Sequence, residues 1–323
     1  MIMPGNRAPM LIPKLVMTTI SFCLRASLLL ACSFAVAGDC SPPSILLNAL
    51  DSNFKIERDL RAEDIKVEVD RKQAQILSLS LDTHPRRIVV MVDSSGSMEA
   101  SPQKSGWGIT LPAAAYAVDV LPASASPALV TFSDKLRRES SDFENRKPVG
   151  ARVLNLAKRH PEGPTSLFDS IDQVLVEFQE LHFGDAIYLV TDGLDNKSRI
   201  SLPKLEKELI SRGVRVFVFL VVREGSRTEE EMSGTQMDGF AESTGGEVVR
   251  ISSAEIAGNE RAQLDRLAPQ IVGQVEGVYH LELGLSEVEK AARVNVAFAD
   301  RDRRKNTHSI AYSHQIAPCQ RKP

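Results

Sequence analysis

The sequence predicts an α/β protein, with a mostly parallel sheet covered by helices on both faces and a small β module built from the two flanks. Three observations predict it. The unbroken apolar run Ile88–Val92 and the largely apolar stretches Asp185–Thr191 and Val214–Val221 read as buried strands. Stretches of helical periodicity lie between and after them, and strands that alternate with helices imply a parallel sheet with crossover connections. Outside this core the apolar residues recur at every second position, the pattern of strands with one face in contact with a core.

Taken in order, Gly38 to Pro43 is a short polar lead. Ile65, Val67 and Val69 alternate with charged residues, and Leu77, Leu79 and Leu81 alternate with serines. The polar run Asp70-Arg71-Lys72-Gln73 between them predicts a hairpin turn. His84-Pro85 breaks the pattern before the central strand. Thr110 is expected to cap an Ala-rich helix through Val120, with Pro112 tolerated in its first turn. Ala128 to Phe132 is a short strand. Residues 134–149 are charged and irregular and predict a surface hairpin or loop, and 152–159 a short helix.

Leu167 to Leu181 is the clearest helix: Leu167, Phe168, Ile171, Val174, Leu175, Phe178 and Leu181 share one face. Ser201 caps the next helix, which runs to Arg212 and closes on Gly213. A helix ending near Gly245-Gly246 precedes the strand Glu247–Ile251. Arg261 to Val278 carries Leu264, Leu267, Ile271, Val275 and Val278 on one side as a final helix. Leu281, Leu283 and Leu285, then Val294, Val296 and Phe298, then Ile310 and Tyr312 predict closing strands. These are expected to pack with the strands from Ile65 to Leu81.

The chain has 323 residues and a formal net charge of −3. Its length fits one large domain or one domain with a small companion. The near-neutral balance gives no footprint for nucleic acid, and the short basic clusters Arg301–Lys305 and Arg321-Lys322 read as solvated turn and tail residues. No Gly-x-x-x-x-Gly-Lys loop points to a nucleotide.

The amino terminus reads as a targeting segment, residues 1–37. Arg7, Lys14 and Arg25 supply positive charge, Ala26–Ala37 is apolar, and Ala35-Val36-Ala37 is a small-x-small cleavage site before Gly38. Met17 is an alternative start. Two alternatives to cleavage stay open: an uncleaved anchor that recruits Leu11–Ile20, and lipidation at Cys32 after Leu29-Leu30-Ala31. Membrane contact is expected only in those two cases. Cleavage leaves Cys40 and Cys319, and two cysteines in an exported protein predict a disulfide, the alternative being two free thiols.

The chemistry centres on Asp93-Ser94-Ser95-Gly96-Ser97-Met98, directly after the first buried strand. It places one carboxylate and two hydroxyls on a tight loop, a donor set for a hard dication. Taken alone, the stretch is equally a good Ser-Gly turn. Two later stretches change the balance. Gly163-Pro164-Thr165-Ser166 opens the clearest helix, and Thr191-Asp192-Gly193 ends the second buried strand. Ligand sites of parallel sheets lie at the carboxyl ends of strands. Asp93 and Asp192 are at two such ends, and Thr165 starts a helix on the same side.

This order of residues resembles the metal-ion-dependent adhesion site of the von Willebrand factor A (VWA) family, with Asp93, Ser95, Ser97, Thr165 and Asp192 matching its five positions. The resemblance implies a Rossmann-like VWA fold. It further implies hydroxyl ligands from Ser95, Ser97 and Thr165 and charge from Asp93 and Asp192. The expected ion is Mg2+, with Mn2+ or Ca2+ as alternatives. The expected partner is a protein presenting an Asp or Glu carboxylate. Asp169, Asp195 and Asn196 are either supports for the ligands or ordinary helix-start and turn residues.

The segment Leu60–Ile65 and its hairpin resemble the region before the A domain in exported bacterial proteins best known from acidobacteria. The expected organisation is a signal peptide at 1–37, an amino-terminal β flank at 38–84, a VWA domain at 85–278 and a carboxyl-terminal β flank at 279–323.

An enzyme is not expected. His84, His160, His182, His280, His308 and His314 form no His-Glu-x-x-His pair, and Ser95 lies in no Gly-x-Ser-x-Gly elbow. The alternatives are a metal-dependent hydrolase on the same architecture and a structural envelope component whose ion only stabilises the loops.

Overall fold

The computed structural model describes residues 42–98, 108–222, 228–252, 261–285, 288, 290–300 and 307–316. The targeting segment, Cys32, Cys40, Cys319 and both basic clusters lie outside the described residues.

The chain begins with β1 (Ser44–Asp51), β2 (Ile65–Val69), β3 (Lys72–Ala74) and β4 (Ile76–Asp82). The α/β part follows: β5 (Arg87–Asp93), α1 (Thr110–Asp119), β6 (Ser126–Phe132), β7 (Leu136–Arg138), α2 (Arg146–Asn155), α3 (Leu167–Glu177), β8 (Ala186–Thr191), α4 (Leu202–Arg212), β9 (Arg215–Val221), α5 (Thr228–Thr244), β10 (Val248–Ile251) and α6 (Arg261–Glu276). It closes with β11 (Val278–Leu283), β12 (Ala292–Phe298), β13 (Thr307–Tyr312) and β14 (Gln315–Ile316).

The central sheet has six strands in the order β10-β9-β8-β5-β6-β7, parallel except for the antiparallel edge strand β7. The predicted double burial is observed. Ile88, Val90 and Val92 join a core under α1, α2 and α6, whereas Val89 and Met91 face α3, α4 and α5. Alternation along one strand thus feeds two helix layers. The α4 boundaries follow the expected chemistry: extended Ser201 precedes the helix, and Gly213 closes it in the left-handed region at φ 64°.

The flanks form two four-stranded sheets, β13-β1-β11-β4 and β14-β12-β2-β3, around one shared core. Ile45 and Leu47 of β1, Val67 of β2, Leu281 of β11 and Val296 of β12 all belong to it. Both ends of the chain therefore build the β module.

Four local expectations are corrected. The turn after β2 is only Asp70-Arg71, at φ 48° and 66°, and Lys72-Gln73 already belong to β3. After Ala74 the chain crosses to the other sheet, where β4 pairs with β11 and not with β2. Thr110 is the first helical residue of α1, not its cap. Helix α2 starts at Arg146, inside the stretch read as a loop; Pro148 is accommodated in its first turn. Strand β1 was not anticipated, yet Ile45 to Leu50 are all buried.

At the amino end of the central sheet the two parts are joined by polar groups. The Asn48 side-chain amide donates to the carbonyls of Gln274 (3.0 Å) and Gly277 (2.6 Å) at the end of α6. Arg86 and Arg215 are both buried. Arg86 donates to the Asp82 carboxylate at 3.0 Å, and Arg215 to the carbonyls of Gln274 (2.5 Å) and Gly184 (3.2 Å). Burial, and then the charge of Arg86, bring the Arg215 guanidinium down to about 9.

Candidate metal centre

The five residues singled out in the sequence lie on three loops at the carboxyl edge of the sheet. Asp93 is the last residue of β5, and Ser95 and Ser97 follow it in a loop with one 3-10 turn at Gly96–Met98. Thr165 lies just before α3, whose cap is Ser166. Asp192 directly follows β8. Asp93, Ser95, Thr165 and Asp192 are buried, and Ser97 is half-buried.

Hydrogen bonds stitch the three loops together pairwise. The first and second are joined by Gly96 N–H to the Gly163 carbonyl (2.9 Å) and Glu162 N–H to the Ser94 carbonyl (2.9 Å). The second and third are joined by Thr165 N–H to Asn196 Oδ1 (3.0 Å) and Asn196 N–H to the Thr165 carbonyl (3.2 Å). The first and third meet where the Thr191 hydroxyl donates to Asp93 Oδ2 at 2.7 Å.

Asp169, Asp195 and Asn196 therefore do more than shape local turns. Asp195 Oδ1 accepts the Leu167 N–H at 3.0 Å, so a residue after β8 caps the start of α3. The Asp169 carboxylate accepts the N–H groups of Arg199 and Ile200 at 2.9–3.1 Å. Through these contacts the helix start that carries Thr165 is positioned against the loop that carries Asp192.

Thr191 was not singled out in the sequence. Its hydroxyl donates to Asp93 and accepts the Gly193 N–H at 3.1 Å, which orients both carboxylate-bearing segments. Its β-branched side chain read only as strand. Gly193 sits at φ 78°, a conformation that a Cβ would strain.

The electrostatics are unusual for a turn cluster. Asp93 Oδ1 accepts the Ser95 N–H at 2.9 Å, and the Ser95 and Ser97 hydroxyl oxygens are 3.1 Å apart. Burial pushes the Asp93 carboxyl up to about 7, and the negative charge of Asp192 pushes the same way, against the hydrogen bonds from Ser95 and Thr191. Two like charges are thus held close in a buried setting.

This donor set fits a hard dication. It is all oxygen, its two carboxylates match the charge of the ion, and a cation would relieve their repulsion. Among the described residues no group of three or more His, Cys, Asp and Glu side chains could hold a metal ion. Cys40 and Cys319 lie outside the described residues.

No protein-family profile matches the sequence, and no curated protein does. Several solved structures resemble the fold. BatB from Bacteroides thetaiotaomicron is 16% identical, with 58% of this chain and 98% of that chain covered at a TM-score of 0.45. A von Willebrand factor type A protein from Catenulispora acidiphila is 14% identical, covering 87% of this chain and 74% of that one at a TM-score of 0.45. Proximal thread matrix protein 1 from the mussel byssus, with a zinc-occupied MIDAS motif, is 18% identical over 64% of this chain and 50% of its own, also at 0.45. Identities this low carry no residue-level correspondence.

Proposed function

We propose that the chain is a protein-interaction module of the VWA type, exported and not an enzyme, that binds a divalent cation and through it a carboxylate of a protein partner. Asp93, Ser95, Ser97, Thr165 and Asp192 hold the ion, with Mg2+ the best match to the oxygen set and Mn2+ or Ca2+ the alternatives. When bound, the ion supplies a positive centre that an acidic oxygen of a partner can share.

The observation that carries this reading is the pair of buried like-charged carboxylates, Asp93 and Asp192, held on three mutually bonded loops. The chain's own residues do the positioning. Thr191 orients Asp93, Asn196 fixes the Thr165 backbone, and the Leu194 N–H holds Asp192 Oδ1 at 3.1 Å. A non-enzymatic role rests on the lack of a His-Glu-x-x-His pair or a nucleophile elbow in the sequence.

Calorimetry with Mg2+ tests the centre. Wild-type protein is expected to bind and Asp93→Ala to fold but not bind; unchanged affinity in a folded variant removes the assignment. Capture of a partner from envelope extract, lost with chelator, separates adhesion from a purely stabilising ion. Among the described residues no helix is long and apolar enough to cross a membrane. Export is tested by intact mass after alkylation, with a start at Gly38 and a Cys40–Cys319 bridge expected.

A further inference from the structure

A cleft of about 640 Å3 opens beside the metal loop, between the β6–β7 turn and residues 156–162. Ser94 forms part of its wall, and Ser94 stands between Asp93 and Ser95, two of the proposed ligands. The cleft is bound firmly to that loop. The Ser94 N–H and hydroxyl both donate to the Phe132 carbonyl, at 2.7 and 2.9 Å, and Ser166 N–H donates to the Ser133 carbonyl at 2.8 Å.

Its charge is asymmetric. Lys135, Arg137, Arg159 and His160 line it, with Asp134 and Glu162 as the acids. Arg159 is committed to the Glu139 carboxylate at 2.9 Å, and Asp134 faces Lys197 at 3.9 Å. Lys135 and Arg137 are exposed and form no ion pair within 4 Å among the described residues. The space is large enough for several side chains. Arg137 also lies in the field of Glu139, which Arg159 already pairs, so Lys135 and Arg137 leave the lining with a positive excess over Glu162.

We propose that this cleft selects the partner: the segment bound at the metal centre is acidic, with one carboxylate at the cation and another on the same extended chain held by Lys135 and Arg137. The inference rests on the metal-centre reading above. An extended chain advances about 3.3 Å per residue and turns every second side chain to the same face. A second acid two or four residues from the first is therefore presented to the same surface. Arg137 also offers a planar fork suited to a carboxylate. Complementary charge of this kind acts on partner choice and association rate.

The test uses the full chain and fluorescent peptides. One has a single Asp among neutral residues; the others add Glu two and four residues to either side. In Mg2+ the multi-acid peptides are expected to bind about tenfold tighter than the single-acid peptide. Lys135→Glu with Arg137→Glu should erase that advantage and weaken single-acid binding far less, and chelator should abolish both. An advantage that survives the charge reversal overturns the inference and leaves the metal reading intact. Binding that ignores chelator overturns both. Absence of any binding at millimolar peptide also overturns the inference, and Mg2+ calorimetry on the same sample shows whether the metal reading has failed with it.

Discussion

At the carboxyl end of the central sheet, Asp93 and Asp192 lie buried among hydroxyls; at its amino end, Arg86 and Arg215 lie buried beside Asp82 and Asp185. The amino end meets its charges from within the chain, although Arg86 Nε and Arg215 Nε have no hydrogen-bond partner and the two guanidiniums repel one another. Arg86 has the Asp82 carboxylate, and Arg215 has two carbonyls and the field of Asp185. At the carboxyl end Asp93 accepts hydrogen bonds from Ser95 and Thr191, yet burial and the nearby charge of Asp192 both work against its ionised form. A buried charge met by its opposite within the chain is a fastening. Buried like charges on stitched loops are the arrangement from which the cation site is proposed.

Substitution should expose this difference. The largest effect is expected from Arg215→Met, which keeps volume but strips the donors from the Gln274 and Gly184 carbonyls and removes a positive charge from the field of Asp185. A loss of about 3–5 kcal/mol in urea unfolding is expected. Asp192→Asn should cost little in chelator, since it removes a repulsion. If Asp192→Asn destabilises the cation-free protein as much as Arg215→Met does, the two ends are not different in kind.

Added Mg2+ sharpens the contrast. At a hundredfold excess over Kd, binding to the folded state alone should stabilise the wild type by about 2.7 kcal/mol. Asp93→Ala and Asp192→Asn should show no gain, while Asn48→Ala should keep it. That last variant tests the fastening: it strips the donor from the carbonyls of Gln274 and Gly277 and should cost about 1–3 kcal/mol. Faster hydrogen exchange in the last turn of α6, with unchanged exchange at Thr165–Leu167, is the expected pattern.

How much of this was legible depends on what each residue reports locally. β5, β8 and β9 were plain because double burial leaves the apolar stretches Ile88–Val92, Ala186–Val190 and Val216–Val221, and Asp93 and Asp192 stood out as polar residues at the ends of two of them. β1 was hidden because Ser44–Asp51 lacks period two and because its partners lie far along the chain. The crossover at Gln75 was hidden for the same reason: alternation shows that a strand has a face but not which sheet receives it. Thr191 was overlooked because a β-branched residue at a strand end looks like strand.

The smallest expected effect is on acid stability at the amino end. Burial pushes the Asp82 carboxyl up, but hydrogen bonds from the His84 backbone and from Arg86 and His84 side chains outweigh it and hold it at about 2. A depressed carboxylate stabilises the fold above its unfolded value of about 3.9, and that support is lost as pH falls toward 2. Asp82→Asn should therefore flatten the acid limb between pH 4 and 2 and leave stability near pH 7 lower than wild type. An unchanged acid limb would leave Asp82 without this role.

The reach of Asn48 has a consequence for the order of synthesis. Its contact with Gly277 spans 229 residues, and β1 pairs with β11 and β13 from the far end of the chain. An emerging chain presents the apolar stretch Ile45–Leu50 long before its partner strands exist. Closing so distant a pairing is slow, and an unpaired apolar strand is prone to join the wrong neighbour. The β module is thus the last part of the chain to be completed, and a chain trimmed anywhere before β13 leaves the first strand made without its final neighbour.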